Sequence, residues 1–239
     1  MATGRLVDWF DTYRERTREP ATVALATVPL VLLYGLGLLA ASPAARSGVD
    51  LVSSRLLAKV PTPTYIGLQL AIATALVLFA LFRRRASMRA HLAWTGPILA
   101  EAVAWGFVLS AIVLFCLAEV HILGGPAPAP EAALIDRAVL AAGAGLNEEF
   151  IFRFLLVPVL AVGLARLLGV ARPYALVAAA VLSSLAFSAA HHWAGEPFDT
   201  FTFAYRSVAG LVFAGLFLTR GFAIAAWSHA AYDFHVLTS

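Results

Sequence analysis

Long, continuous apolar segments recur along the chain, and they constrain its fold more than any other feature. A helix rises about 1.5 Å per residue and the hydrocarbon core of a bilayer is about 30 Å thick, so about 20 mainly apolar residues cross it. Of the 239 residues, 61% are hydrophobic and only 13% are charged, whereas a soluble domain is about half apolar. The sequence therefore predicts an integral membrane protein.

The predicted fold class is all-α, a polytopic transmembrane helix bundle of about seven spans. A membrane barrel is disfavoured because its strands alternate apolar and polar residues over segments of about 10 residues. The predicted spans lie near residues 21–42, 65–82, 94–120, 138–165, 173–193, 203–218 and 222–237.

The sequence divides into three parts. Residues 1–20 mix arginines with acidic residues, unlike a cleaved signal, and are predicted to form a cytoplasmic amphipathic lead-in. Residues 21–124 hold the front three membrane helices, and residues 132–239 hold a four-helix membrane core with the candidate catalytic residues. The proline-rich stretch Gly124 to Pro130 disfavours helix and separates the two. The single cysteine, Cys116, lies in an apolar run and is predicted to pack there rather than to act as a nucleophile.

The basic residues predict the orientation in the membrane. Lys and Arg are enriched in cytoplasmic loops, and a cytoplasmic amino terminus places the cluster of Arg83, Arg84, Arg85 and Arg89 inside. The outside loop would then still hold Arg46, Arg55 and Lys59. We expect a bacterial-type plasma membrane protein with its amino terminus in the cytoplasm. The net charge of +3 does not indicate nucleic-acid binding, because the arginines are not interleaved with an aromatic platform.

Ionisable residues inside the predicted spans are candidate functional residues, because each costs several kcal/mol to bury in the bilayer. Most of them occur in three of the last four helices. They are Glu148, Glu149 and Arg153, then His191 and His192, then His229 and Asp233 with His235 nearby. In the front helices we expect Glu101 to be a lone structural acid and Glu119 to reach an interface.

Helix geometry separates the two adjacent glutamates. Glu149 and Arg153 are four residues apart and about 40° from one another around the helix, so they can form an ion pair. Glu148 lies about 140° from Arg153 and must face another helix. A carboxylate placed in this way can act as a general base toward water. The alternative is a buried ion network that only holds the helices together.

The two other helices favour the catalytic interpretation. His229 and Asp233 are four residues apart, as are Phe187 and His191, so each pair shares one helix face. With the predicted spans, all these side chains lie at similar depths in the bilayer. His192 is the rival of His191 but points about 100° away from it. For His235 we expect a structural or interfacial role.

Three short motifs resemble those of the CAAX protease and bacteriocin-processing family, which comprises the type II CAAX prenyl endopeptidases and their bacterial relatives. They are E-E-F-I-F-R from Glu148 to Arg153, F-S-A-A-H from Phe187 to His191, and H-A-A-Y-D from His229 to Asp233. The resemblance covers roughly residues 135–237. It implies a membrane helix bundle that hydrolyses a peptide bond near the membrane surface.

The resemblance also implies a role for each site residue. Glu148 would activate the attacking water, with His191 helping to position it. Glu149 and Arg153 would orient Glu148. His229 and Asp233 would stabilise the oxyanion, where negative charge develops.

The chain departs from the family pattern at two positions. Many members carry asparagine where this chain has Asp233. An ionised carboxylate cannot donate a hydrogen bond to an oxyanion, so Asp233 must be protonated, orient His229 or bind a metal. Phe154 stands where members often carry glycine, which affects helix packing more than chemistry.

The residue set leaves the mechanism open between two classes. One glutamate, two histidines and an aspartate suit a zinc site with an activated water. The resemblance implies a metal-free glutamic-type peptidase, and no H-E-x-x-H motif is present. We therefore expect no cofactor, with a zinc metalloprotease as the alternative.

The predicted function is an intramembrane endopeptidase whose partners are the lipid bilayer and a protein or peptide substrate, with membrane-anchored and lipidated proteins among the options. A transporter or proton pathway would also place Glu, His and Asp inside helices. Such a protein typically has repeated halves or broken spans, and neither is visible in this sequence. A catalytically silent membrane scaffold or immunity protein is the third alternative. It would be expected to lose site residues, whereas here all the expected positions are filled apart from the change from asparagine to aspartate at Asp233.

Overall fold

The computed structural model describes residues 2–42, 60–83, 87–120, 133–193 and 197–238, and every regular element in these ranges is helical. The predicted stretch from Gly124 to Pro130 and most of the loop with Arg46, Arg55 and Lys59 lie outside the described residues, as do Arg84 and Arg85. The side chains of Cys116 and Glu119 also lie outside them, so their predicted roles stay predictions.

The described helices are numbered in chain order. They are α1 (Ala2–Arg16), α2 (Pro20–Ala40), α3 (Thr62–Phe82), α4 (Met88–Val120), α5 (Leu134–Glu149), a π-helical segment (Phe150–Leu156), α6 (Val157–Leu167), α7 (Arg172–Trp193), α8 (Thr200–Arg220) and α9 (Phe222–Thr238).

Six helical segments in the described ranges are long and apolar enough to cross a membrane. One of them runs continuously from Leu134 to Leu167 and contains α5, the π-helical segment and α6. The prediction of a polytopic helical membrane bundle is confirmed. The seventh predicted span corresponds to α9, which is a helix of 17 residues packed among the others.

The lead-in at the amino terminus is a helix, α1, that is tied to the bundle by Tyr13. The Tyr13 hydroxyl donates to Glu101 Oε2 at 2.5 Å and lies 3.1 Å from the Pro97 carbonyl oxygen, both on α4. Two effects raise the pKa of the Tyr13 hydroxyl well above its usual value. Burial is the larger, and the nearby Glu101 carboxylate adds to it. The Tyr13 hydroxyl therefore keeps its proton, and with it the hydrogen bond to α4, across the physiological pH range.

The prediction that Glu101 is a lone structural acid is wrong. Arg220, at the end of α8, donates to both carboxylate oxygens of Glu101, with Nε at 2.8 Å and Nη2 at 2.6 Å. Trp105 Nε1 donates to the same group at 3.3 Å. Helical periodicity within α4 could not reveal this, because Arg220 is 119 residues away in the chain.

Helix α9 lies in the centre of the bundle and packs against α4, α5, α8 and α2. Two glycines allow the backbones to approach closely. A Cβ atom on Gly106 of α4 would lie 2.9 Å from the Ser228 carbonyl oxygen, and one on Gly145 of α5 would lie 2.7 Å from the Ala230 nitrogen. Small residues at such crossings permit close helix packing in membranes. This packing places His229, on α9, directly beside the end of α5.

Candidate active site

The two adjacent glutamates close α5, and the chain continues without a break into the π-helical segment Phe150–Leu156. A π-helical turn spaces its hydrogen bonds five residues apart, adds a residue to the turn, and is frequent at functional sites. A regular α-helix was expected here. The expected ion pair forms despite the wider turn, with Arg153 Nη1 3.0 Å from Glu149 Oε1.

Glu149 and Arg153 form the innermost part of the site, and both side chains are fully buried. Glu149 Oε1 also accepts a hydrogen bond from His229 Nδ1 at 2.8 Å. Because a carboxylate only accepts, this contact places a proton on Nδ1 of His229. Arg153 Nη2 donates to the Gly210 carbonyl oxygen at 3.1 Å. Glu149 thus joins the fourth predicted span to α9, and Arg153 joins it to α8.

Glu148 meets histidines from two other helices. Its Oε1 lies 3.9 Å from His191 Nε2 on α7, and its Oε2 lies 3.8 Å from His229 Nε2 on α9. The side chain is buried. Both separations exceed a direct hydrogen bond, as is common for catalytic groups without bound substrate. Two imidazoles therefore converge on one carboxylate, each opposite a different oxygen.

The two adjacent histidines of α7 differ in their surroundings. His191 contacts its own helix through Nδ1, which lies 2.9 Å from the Phe187 carbonyl oxygen, and this turns Nε2 toward Glu148. His192 Nδ1 instead lies 3.1 Å from the Pro197 carbonyl oxygen, and its ring packs against Phe198. The structure thus brings His191, and not His192, to Glu148.

Asp233 lies one turn beyond His229 on α9. Its Oδ2 is 3.4 Å from His229 Nε2, so that imidazole has carboxylates at both of its nitrogens. Asp233 is the most exposed member of the site, with 24% of its side chain accessible. His235, two residues further on, packs against Phe107 of α4.

Aromatic rings form the walls of the site. The Arg153 guanidinium carbon lies 4.5 Å from the Phe187 ring centre and 5.7 Å from that of Phe213. The Phe213 ring stacks on His229 with centres 4.4 Å apart and an interplanar angle of 14°. Phe213 and the Gly210 carbonyl were not among the predicted site residues. Both belong to α8, which holds no candidate ionisable residue, so no polar pattern marked them.

All six predicted site residues come together in one place. Glu148, Glu149 and Arg153 come from the fourth predicted span, His191 from α7, and His229 and Asp233 from α9. Among the described residues, no group of three or more His, Cys, Asp or Glu side chains is arranged to hold a metal ion. The arrangement offers instead a carboxylate that can accept a proton and imidazoles that can donate one.

Buried acid and base groups from three helices meet inside an apolar bundle and mark a candidate functional site within the membrane. Residues 130–235 match the family model described as Type II CAAX prenyl endopeptidase Rce1-like. The match confirms the resemblance of the three motifs. At the level of the family, it supports a CAAX-protease-like intramembrane endopeptidase. No curated protein and no solved structure gives a significant match.

Proposed function

We propose that the protein cleaves a peptide bond within or beside the membrane by a glutamate-activated water, with Glu148 as the general base. The observation that carries this proposal is the convergence of His191 Nε2 and His229 Nε2, at 3.9 and 3.8 Å, on the two oxygens of the buried Glu148. A base enclosed by polar groups from two other helices can hold a water and a substrate carbonyl in fixed positions. Such fixed geometry lowers the barrier to attack.

In the proposed reaction, residues of the site accept and donate every proton that moves. Glu148 takes a proton from the water, and the water oxygen bonds to the carbonyl carbon of the scissile peptide. The resulting oxyanion accepts a hydrogen bond from Nε2–H of His229 in its imidazolium form, whose Nδ1–H donates to Glu149. Glu148 then passes its proton to the amide nitrogen, the carbon–nitrogen bond breaks, and the new amine leaves.

The remaining residues position these groups. Arg153 neutralises Glu149 and holds it against His229. His191 orients the water on the other oxygen of Glu148. Asp233, 3.4 Å from His229 Nε2, orients that ring between turnovers, which is one of the three roles open to an aspartate at this position. No step in this scheme requires a metal, and a zinc-dependent reaction is the competing mechanism.

We propose a membrane-anchored or lipidated protein as substrate, because the site lies inside the bundle and not on a soluble domain. We further propose a bacterial-type plasma membrane, in keeping with the bacterial relatives that the motifs resemble, and a cytoplasmic amino terminus, which the distribution of basic residues supports.

The proposal is tested by comparing newly formed protein termini in native-host cells that carry the wild-type protein or the Glu148→Gln variant at matched expression. Glu15→Gln makes the same chemical change on the exposed side of α1 and serves as the control. We expect a set of termini that occurs with wild type and with Glu15→Gln but not with Glu148→Gln. Identical sets in all three strains would refute proteolysis and favour a transporter or a scaffold.

A further inference from the structure

Helix α8 contacts both ends of the buried Glu149 network, although it contributes no ionisable residue to it. The Gly210 carbonyl oxygen accepts from Arg153 Nη2 at 3.1 Å, and the Phe213 ring stacks on His229. Residues three apart in a helix share one face. One face of α8 therefore touches the cation on one side of Glu149 and the imidazole on the other.

The contact between Phe213 and His229 differs from the other ring contacts of that histidine. Phe213 lies nearly parallel to the imidazole, with centres 4.4 Å apart, whereas Phe187 meets it edge-on at 78° and 5.8 Å. The bond from Nδ1 to Glu149 fixes one atom of the imidazole but leaves the ring free to turn about that bond. A flat surface against the ring removes this freedom.

We infer that Phe213 is a positioning residue for the reaction. Its ring sets the plane of the His229 imidazole, so that Nδ1 meets Glu149 while Nε2 faces Glu148 and Asp233. This inference rests on the proposed function and goes beyond the motif residues of that site. Phe213 carries no proton and acts only through His229. It is fully buried between α8 and α9, so its ring cannot move away without repacking that interface.

The inference is tested with Phe213→Leu, which keeps an apolar side chain but removes the flat ring, and with Phe217→Leu as the matched control. Phe217 lies four residues further along α8 and is partly buried against the same apolar cluster as Phe213. The first measurement is kcat and KM in proteoliposomes, on a peptide that spans a cleavage site found in the comparison of termini. We expect kcat to fall about 10- to 100-fold in Phe213→Leu with KM changed less than about twofold, and both constants to be preserved in Phe217→Leu.

The second measurement does not depend on activity. The ring carbon–proton resonance of His229 is observed in 13C-histidine-labelled protein and assigned by its loss in His229→Gln. We expect one sharp resonance in wild type and in Phe217→Leu, and a broadened or split resonance in Phe213→Leu, because the ring then samples several orientations. If Phe213→Leu does not fold, Phe213→Met makes the same change with a side chain of more similar length.

The outcomes separate this inference from the proposed function. A wild-type protein that cleaves nothing would overturn the proposed function, while the resonance would still decide whether Phe213 orders His229. A Phe213→Leu variant with normal kcat and one sharp His229 resonance would overturn the inference and leave the proposed function standing. A loss of kcat equal to that of Phe217→Leu would also overturn it, since the effect would then be general to α8.

Discussion

Replacement of Arg153 by methionine should destabilise the protein far more than the simultaneous replacement of Arg153 and Glu149 by methionine and glutamine. In the wild type, both charged side chains are fully buried, and their ion pair measures 3.0 Å. The single change leaves the Glu149 carboxylate in the bundle with His229 as its remaining close partner. The double change removes both charges.

The expected magnitude follows from this burial. Breaking a buried pair by removing one partner costs about 3 to 5 kcal/mol, because the other charge stays uncompensated, whereas replacing both partners is often close to neutral. A change of 1 kcal/mol shifts the melting temperature of a chain of this size by about 2 to 4 °C. We therefore expect Arg153→Met to lower Tm by about 6 to 20 °C, and the double variant to recover at least half of that loss.

The assay is thermal unfolding of the purified variants in one detergent, with Glu149→Gln completing the double-mutant cycle. Both single variants should be less stable than the double variant, so that the coupling is strongly non-additive. If the losses of the two single variants simply add in the double variant, the pair does not act as a unit, and the reasoning from burial is refuted.

Three further outcomes are expected. Asp233→Asn should keep wild-type kcat within a factor of about three, because an amide still accepts a hydrogen bond from His229 and can also donate one to an oxyanion. A kcat loss of about tenfold or more would show that the charge of Asp233 is needed. His191→Ala should lower kcat about 100-fold, whereas the kcat of His192→Ala should stay near the wild-type value. The reverse order in the same assay would contradict the placement of His191 beside Glu148. Tyr13→Phe removes a hydrogen bond to a charged acceptor, so Tm in detergent should fall by the equivalent of about 1.5 to 3 kcal/mol. An unchanged Tm would mean that this contact does not hold α1 to the bundle.

The fold was predictable from the sequence because the bilayer imposes a length on each apolar segment. The ends of the helices were less so: the third predicted span begins at Met88 and not near residue 94, and the fourth contains a π-helical segment. Neither feature changes the apolar composition of its segment. Hydrogen-bond registers and helix extensions of this kind leave little trace in a hydropathy pattern.

The grouping of the candidate site was predictable because the two residues of each motif pair are four positions apart, about one helix turn, and so share a helix face. The Glu149–Arg153 pair and the contact of Glu148 with other helices both follow from that spacing. The contributions of α8 did not follow, since a carbonyl oxygen and a phenylalanine ring have no distinctive sequence signal in an apolar helix. The pairing of Glu101 with Arg220 was missed for a related reason, as it joins distant helices that only packing brings together.

Metal-free activation of the water by Glu148 can be tested by measuring one rate. Cleavage of the substrate peptide is measured in chelator-treated proteoliposomes that contain either the wild-type protein or the Glu148→Gln variant. We expect the wild type to keep its full rate after chelation and the variant to be slower by about 10²- to 10⁴-fold, the usual contribution of a general base. A variant that cleaves at the wild-type rate, or a wild type that stops on chelation and recovers with added zinc, would contradict this mechanism.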